Sequence, residues 1–173
     1  MIETFEMESY ENLESIWIDD TPGLPIEDLL LNSLNLSRVR IVNTTWKVSN
    51  ENNLKTIFEK LKKIGGIDAN NNNLNKAVMT GYVEIDSISD DFLEELNEYF
   101  TELVIIVNGK TRFFLRYVNW NNELLYKYAI SQGANAIDPI ENGIINEPIK
   151  EGSEDTQYYF SQWSNLPTNI QTP

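Results

Sequence analysis

LVIIVNGKTRFFLRYVNW, residues 103–120, is the stretch on which the reading of the fold turns. The apolar run Leu103–Val107 meets Asn108 and Gly109, and a second β-prone run follows from Lys110 to Trp120. A two-residue hairpin turn needs positive φ at both central positions, and Asn-Gly accepts that at little cost. Residues 102–107 and 110–120 therefore read as antiparallel partners. On the second strand Arg112, Phe114, Arg116, Val118 and Trp120 share one face, and Phe113, Leu115 and Tyr117 face the core.

Upstream of the hairpin, strands and helices alternate. Ile2, Phe5 and Met7 suggest a first strand, and Ser15–Ile18 a second. Pro25 suits the first position of a short helix through Leu29, Leu30, Leu31 and Leu34, with Glu27 and Asp28 at its positive end. Arg38–Val48 reads as a strand with Val42, Thr44, Trp46 and Val48 on one face and Val39 and Ile41 on the other. The clearest helix is Glu51–Ile64. Leu54, Ile57, Phe58, Leu61 and Ile64 recur at three or four residues, Ser49 or Asn50 caps the start, and Gly65-Gly66 ends it. Asn70–Asn73 reads as a loop. Ala77–Ile85 alternates as a strand, and Ser89 caps a helix from Asp90 to Phe100. Beyond the hairpin, Asn121 or Asn122 is expected to cap a last helix through Leu124, Leu125, Tyr128 and Ala129. From Ala134 the chain is rich in Pro, Gly, Asn and Ser.

The expected architecture is α+β: one largely antiparallel sheet with three to four helices packed mainly on one face. Residues 1–133 form the expected domain, and 134–173 an irregular C-terminal segment packing on it. At 173 residues with 41% hydrophobic content, the chain has material for a real core. No apolar run approaches a membrane span, and the acidic start lacks the pattern of an export or transit signal. The expected location is the cytoplasm.

The chain has no Cys and no His. That removes thiolate nucleophiles, Ser-His-Asp and Cys-His catalysis, and the usual zinc and haem ligand sets. No cofactor is expected. Net charge is −14, which repels nucleic acid and anionic membranes and attracts basic proteins. The charge is also segregated. Residues 1–28 hold nine acids and no base, residues 37–66 hold seven bases and two acids, and residues 67–109 hold nine acids and one Lys.

The helix SDDFLEELNEYF, residues 89–100, concentrates this pattern. Phe92, Leu96, Tyr99 and Phe100 mark its inner face. Asp91, Glu94, Glu95 and Glu98 stand at i, i+3, i+4 and i+7 along an outer face, where each like-charge pair costs about 0.2–0.5 kcal/mol. Two compensations are open: basic side chains of the same chain, among them Lys60, Lys62, Lys63, Lys110, Arg112 and Arg116, or a basic partner.

IWIDDTPGLP, residues 16–25, ends an apolar strand in Asp19 and Asp20. Metal-dependent phosphoryl transfer wants a second carboxylate two residues on, and Thr21 stands there. No G-x-x-x-x-G-K-[ST] loop occurs. The pair reads as a strand end and turn. The Arg and aromatic side chains of 112–120 lack the glycine spacing of single-strand RNA binders. Trp17, Trp46, Trp120 and Trp163 read as core or interface anchors.

These observations lead to a non-enzymatic acidic protein that neutralises or inhibits a basic protein. Toxin-immunity proteins and phage anti-defence inhibitors are alike in kind, with no shared motif. Asp91, Glu94, Glu95 and Glu98 are the expected contacts, followed by Asp19 and Asp20. A nucleic-acid mimic that blocks a DNA-binding enzyme and a carboxylate-only metal-dependent hydrolase are the alternatives.

Overall fold

The structure is a computed structural model describing residues 10–65, 77–100, 102–152 and 158–171. The suggested strand at Ile2–Met7, the Asn70–Asn73 loop and Gly66 lie outside these residues. The described elements are β1 (Ser15–Asp19), α1 (Ile26–Asn32), β2 (Arg38–Lys47), α2 (Glu51–Gly65), β3 (Ala77–Ile85), α3 (Asp90–Tyr99), β4 (Leu103–Val107), β5 (Lys110–Val118) and β6 (Leu124–Ser131). The six strands form one sheet in sequence order. Contacts gather the chain into two compact units, Met1–Thr111 and Arg112–Pro173.

In the first unit the sheet is parallel, and the expectation of a largely antiparallel sheet is corrected. β1 pairs parallel with β2, β2 with β3, and β3 with β4. A parallel neighbour needs a crossover long enough to return the chain to the same end of the sheet, and a helix is the usual one. Here α1, α2 and α3 provide three in succession. The Asn108-Gly109 hairpin forms as read, with φ of 51° and 74° at the turn. It governs only the strands it joins, so the whole sheet is mixed.

Strand side chains meet the helices in rows. Ile16, Val39 and Ala77 align across three strands, as do Ile18, Ile41 and Met79, and then Trp46, Val83 and Ile105. All nine are buried. α2 supplies Leu54, Ile57, Phe58 and Leu61, and α3 supplies Phe92, Leu93 and Leu96. Phe58 sits edge-on to Phe92 and Tyr99, each at 5.6 Å, and to Phe100 at 6.0 Å. Fully burying an aromatic ring of this kind contributes roughly 1.5–3 kcal/mol. The opposite sheet face carries exposed side chains. Trp17 is 75% exposed with the Arg40 guanidinium 5.5 Å from its ring centre, and Tyr82 is 46% exposed.

β2 departs from plain alternation. Val39 and Ile41 are buried, and so are Thr44 and Trp46, although the spacing should send these pairs to opposite faces. The pairing shows why: Ile41 faces Met79 and Thr44 faces Gly81, so β2 spends one residue more than β3 over that interval. Asn43 takes positive φ, 53°, inside the irregularity. This bulge restores the inward phase. Opposite it, Gly81 has φ of +97°, and a Cβ there would lie 2.7 Å from the Thr44 carbonyl oxygen.

In the second unit β5 pairs antiparallel with β6, Phe113 facing Ile130 and Leu115 facing Tyr128. The expected helix through Leu124–Ala129 is therefore a strand, which leaves three helices among the described residues. Asn119 decides this. Its side-chain oxygen accepts the backbone N–H groups of Asn121 and Glu123, which forms a turn where a helix start was expected. Tyr126 and Tyr128 then stack along one face at 5.6 Å. The described residues beyond β6 contain no helix or strand. Tyr117 donates its hydroxyl to the Ile137 carbonyl, and Gly133 donates its N–H to the Ile170 carbonyl at 2.6 Å. Burial, reinforced by Tyr128, pushes the Tyr117 phenol well above its ordinary range.

Candidate functional site

The acidic helix α3 forms with its apolar face inward as read. Asp91, Glu95 and Glu98 are exposed and Glu94 is half-buried. The stripe is partly answered from within. Lys62, on α2, lies 2.9 Å from Glu95 and 3.5 Å from Glu59. Its hydrogen bond to Glu95 raises the Lys62 pKa against a small opposing effect of burial. Asp91 and Glu98 make no ion pair among the described residues. Lys60 has another role. Its ammonium donates to the carbonyls of Leu30 at 2.6 Å and Ser33 at 2.8 Å, at the end of α1. α1 has no basic residue in its last turn, so Lys60 provides the cation that its negative end favours.

Asp19 and Asp20 end β1, both exposed. The side-chain amide of Asn43 reaches Asp19 at 3.4 Å, Thr21 donates to the Asp19 carbonyl, and Asp20 takes φ of 45°. This is the strand end and turn of the sequence reading. Asp19 and Asp91 lie toward the same end of the parallel sheet, where strands finish and helices start, but they do not meet. Asp91 opens α3 just after β3, which stands two strands from β1, about 10 Å at the usual spacing. Among the described residues no three acidic side chains converge as a metal site.

Two features escaped the sequence reading. The first is a pair of carboxylate latches between successive helices. Glu27, in the first turn of α1, accepts the Ser49 N–H at 2.9 Å, the Ser49 hydroxyl at 2.6 Å and the Asn53 side-chain amide at 2.8 Å. Glu51, in the first turn of α2, accepts the Ser89 N–H at 2.7 Å and the Ser89 hydroxyl at 2.8 Å. Each Glu thus serves the start of the next helix. Asn50 completes the α2 start by accepting the Asn53 N–H at 3.0 Å. Burial pushes the Glu27 carboxyl up, and its hydrogen bonds outweigh that and leave it below the ordinary value. Lys55, then Ser89, lowers Glu51. The signal was a Ser two residues before an acid, at Ser49-Asn50-Glu51 and again at Ser89-Asp90-Asp91. Asp91 is the third carboxylate of this series, but a hairpin strand follows β4 in place of a fourth helix.

The second is an aromatic groove in the second unit, of about 480 Å³, whose lining includes Trp120, Lys150, Tyr158, Phe160 and Trp163. Trp163 donates its indole N–H to Asp138 at 3.1 Å and meets Tyr117 and Phe160 edge-on. Burial pushes the Asp138 carboxyl up, but the N–H groups of Glu141 and Ile140 and the Trp163 indole outweigh it. No helix among the described residues is long and apolar enough to cross a membrane. Comparison with protein families, curated proteins and solved structures finds no match to this chain.

Proposed function

We propose that the chain is a non-enzymatic binding protein whose α3 face meets a basic protein and neutralises or inhibits it. The observation that carries this reading is the division of labour among the acids. Glu27, Glu51 and Glu95 are engaged inside the fold, while Asp91 and Glu98 stand exposed on one helix without a cation among the described residues. Solvated like charges on one helix face favour a cationic partner, and complementary charge speeds its encounter. Lys62, set on Glu95, interrupts the continuous negative surface that a nucleic-acid mimic requires. That favours a protein partner over mimicry.

The test reverses Asp91 and Glu98 to Lys together. Basic proteins captured from the native host by the parent chain are identified, and their association rates with both chains are measured at low and high salt. The variant should associate more slowly, with the difference shrinking as salt screens the charges. Its thermal stability should stay within about 0.5 kcal/mol of the parent, as for other surface changes. Equal rates at low salt would remove α3 from the interface.

A further inference from the structure

The Lys150 ammonium lies 4.0 Å from the ring centre of Tyr158 and 4.9 Å from that of Trp120. It makes no ion pair with a carboxylate among the described residues, in a chain with 27 acids and 13 bases. A cation placed on two π faces and on none of the described carboxylates marks those faces as a cation subsite. The rings are open to solvent: Trp120 is 63% exposed and Tyr158 47%. The groove's volume lies within the range of small-ligand sites. Trp163, held by Asp138, fixes one wall.

We propose that this groove binds a quaternary ammonium group, and that Lys150 occupies the place in its absence. The preference for a methylated nitrogen follows from competition. Lys150 is tethered, so its effective concentration at the rings is high, and a free primary ammonium with the same hydration gains nothing over it. A quaternary ammonium has no N–H to dehydrate and keeps its full attraction to the rings. The chain's negative charge draws such cations in. Two sources share this chemistry, a trimethylated lysine side chain and a free choline-like molecule. The proposal is independent of the α3 interface.

The test titrates the full chain with choline, with trimethyllysine blocked at both ends, and with blocked unmodified lysine, following the indole N–H signals of the tryptophans by NMR at constant salt. At least one quaternary probe should saturate with a shift of the Trp120 signal, and unmodified lysine should not. Saturation by choline alone supports a free small molecule, and by trimethyllysine alone a modified protein. Trp120→Ala should abolish saturation. Lys150→Met, which vacates the rings, should tighten binding by about two- to thirtyfold, the span of one cation–π contact. Absence of saturation in both the parent and Lys150→Met overturns the proposal. So does equal binding of unmodified lysine. If Lys150→Met loses the groove's native indole signals, Trp120→Tyr provides the second check: it retains a π face and should still saturate, and failure there also overturns the proposal.

Discussion

Replacing Gly81 with Ala tests the bulge that keeps β2 in phase. Two costs can be worked from the structure. At φ of +97° an L side chain is strained, and the left-handed region costs about 1–2 kcal/mol. The new Cβ would also lie 2.7 Å from the Thr44 carbonyl oxygen, 2.8 Å from its nitrogen and 3.2 Å from the Asn43 carbonyl carbon. These are backbone atoms in a paired strand, so relief requires the strands to move, an overpacking cost of about 1–3 kcal/mol. The sum is about 2–5 kcal/mol, or about 4–20 °C in Tm for a chain of this size. Urea denaturation followed by circular dichroism reads the loss. Gly23→Ala is the control, because φ there is +83° with nothing within 4 Å, so only the conformational cost applies. The bulge also predicts non-additivity. Deleting Asn43 removes the extra residue, so the deletion combined with Gly81→Ala should be less destabilised than Gly81→Ala alone. A Gly81→Ala variant within about 0.5 kcal/mol of the parent, the range of ordinary surface changes, would refute this account of the register.

The latches predict acid sensitivity. Glu27 and Glu51 have pKa values lowered from 4.5 in the folded state, so they bind a proton more weakly folded than unfolded. Their contribution is in place above the unfolded value and is lost as pH falls through the lowered folded values. Glu27→Gln and Glu51→Gln together should flatten the profile of stability against pH below about pH 5 and cost about 0.5–2 kcal/mol per latch at neutral pH, the scale of a lost helix cap. An unchanged acid limb in urea melts would contradict the assignment. Lys60→Met should cost roughly 1–2 kcal/mol by stripping the ammonium from the end of α1, with hydrogen exchange in α1 rising more than in α3.

Much of the first unit was legible because its elements are long and periodic. Leu54, Ile57, Phe58 and Leu61 specify α2 by spacing, and Asn108-Gly109 specifies its turn by backbone chemistry. Strand direction was not legible in the hairpin. It lies in the alternation of strand and helix upstream, the pattern of a parallel sheet, because a hairpin sets direction only for the two strands it joins. The last strand carries a helical signal because Leu124, Leu125, Tyr128 and Ala129 can fall on one helical face, and the deciding contact is a side-chain turn at Asn119. Asn43 hid the phase of β2, since an extra residue cannot be told from alternation alone. The acidic stripe on α3 was legible as spacing. Its partial answer by Lys62, and the meeting of Lys150 with Trp120 and Tyr158, depend on residues distant in sequence.

The carboxylate latches run one way along the chain. Glu27 of α1 secures the beginning of α2, and Glu51 of α2 secures the beginning of α3, while Lys60 of α2 holds the end of α1, so α2 is fastened to both neighbours and its loss loosens both. Units coupled only to their neighbours come apart from an end. A pulling force applied at α1 should therefore open the Glu27 latch before the Glu51 latch, and the same force applied at α3 should open the Glu51 latch first.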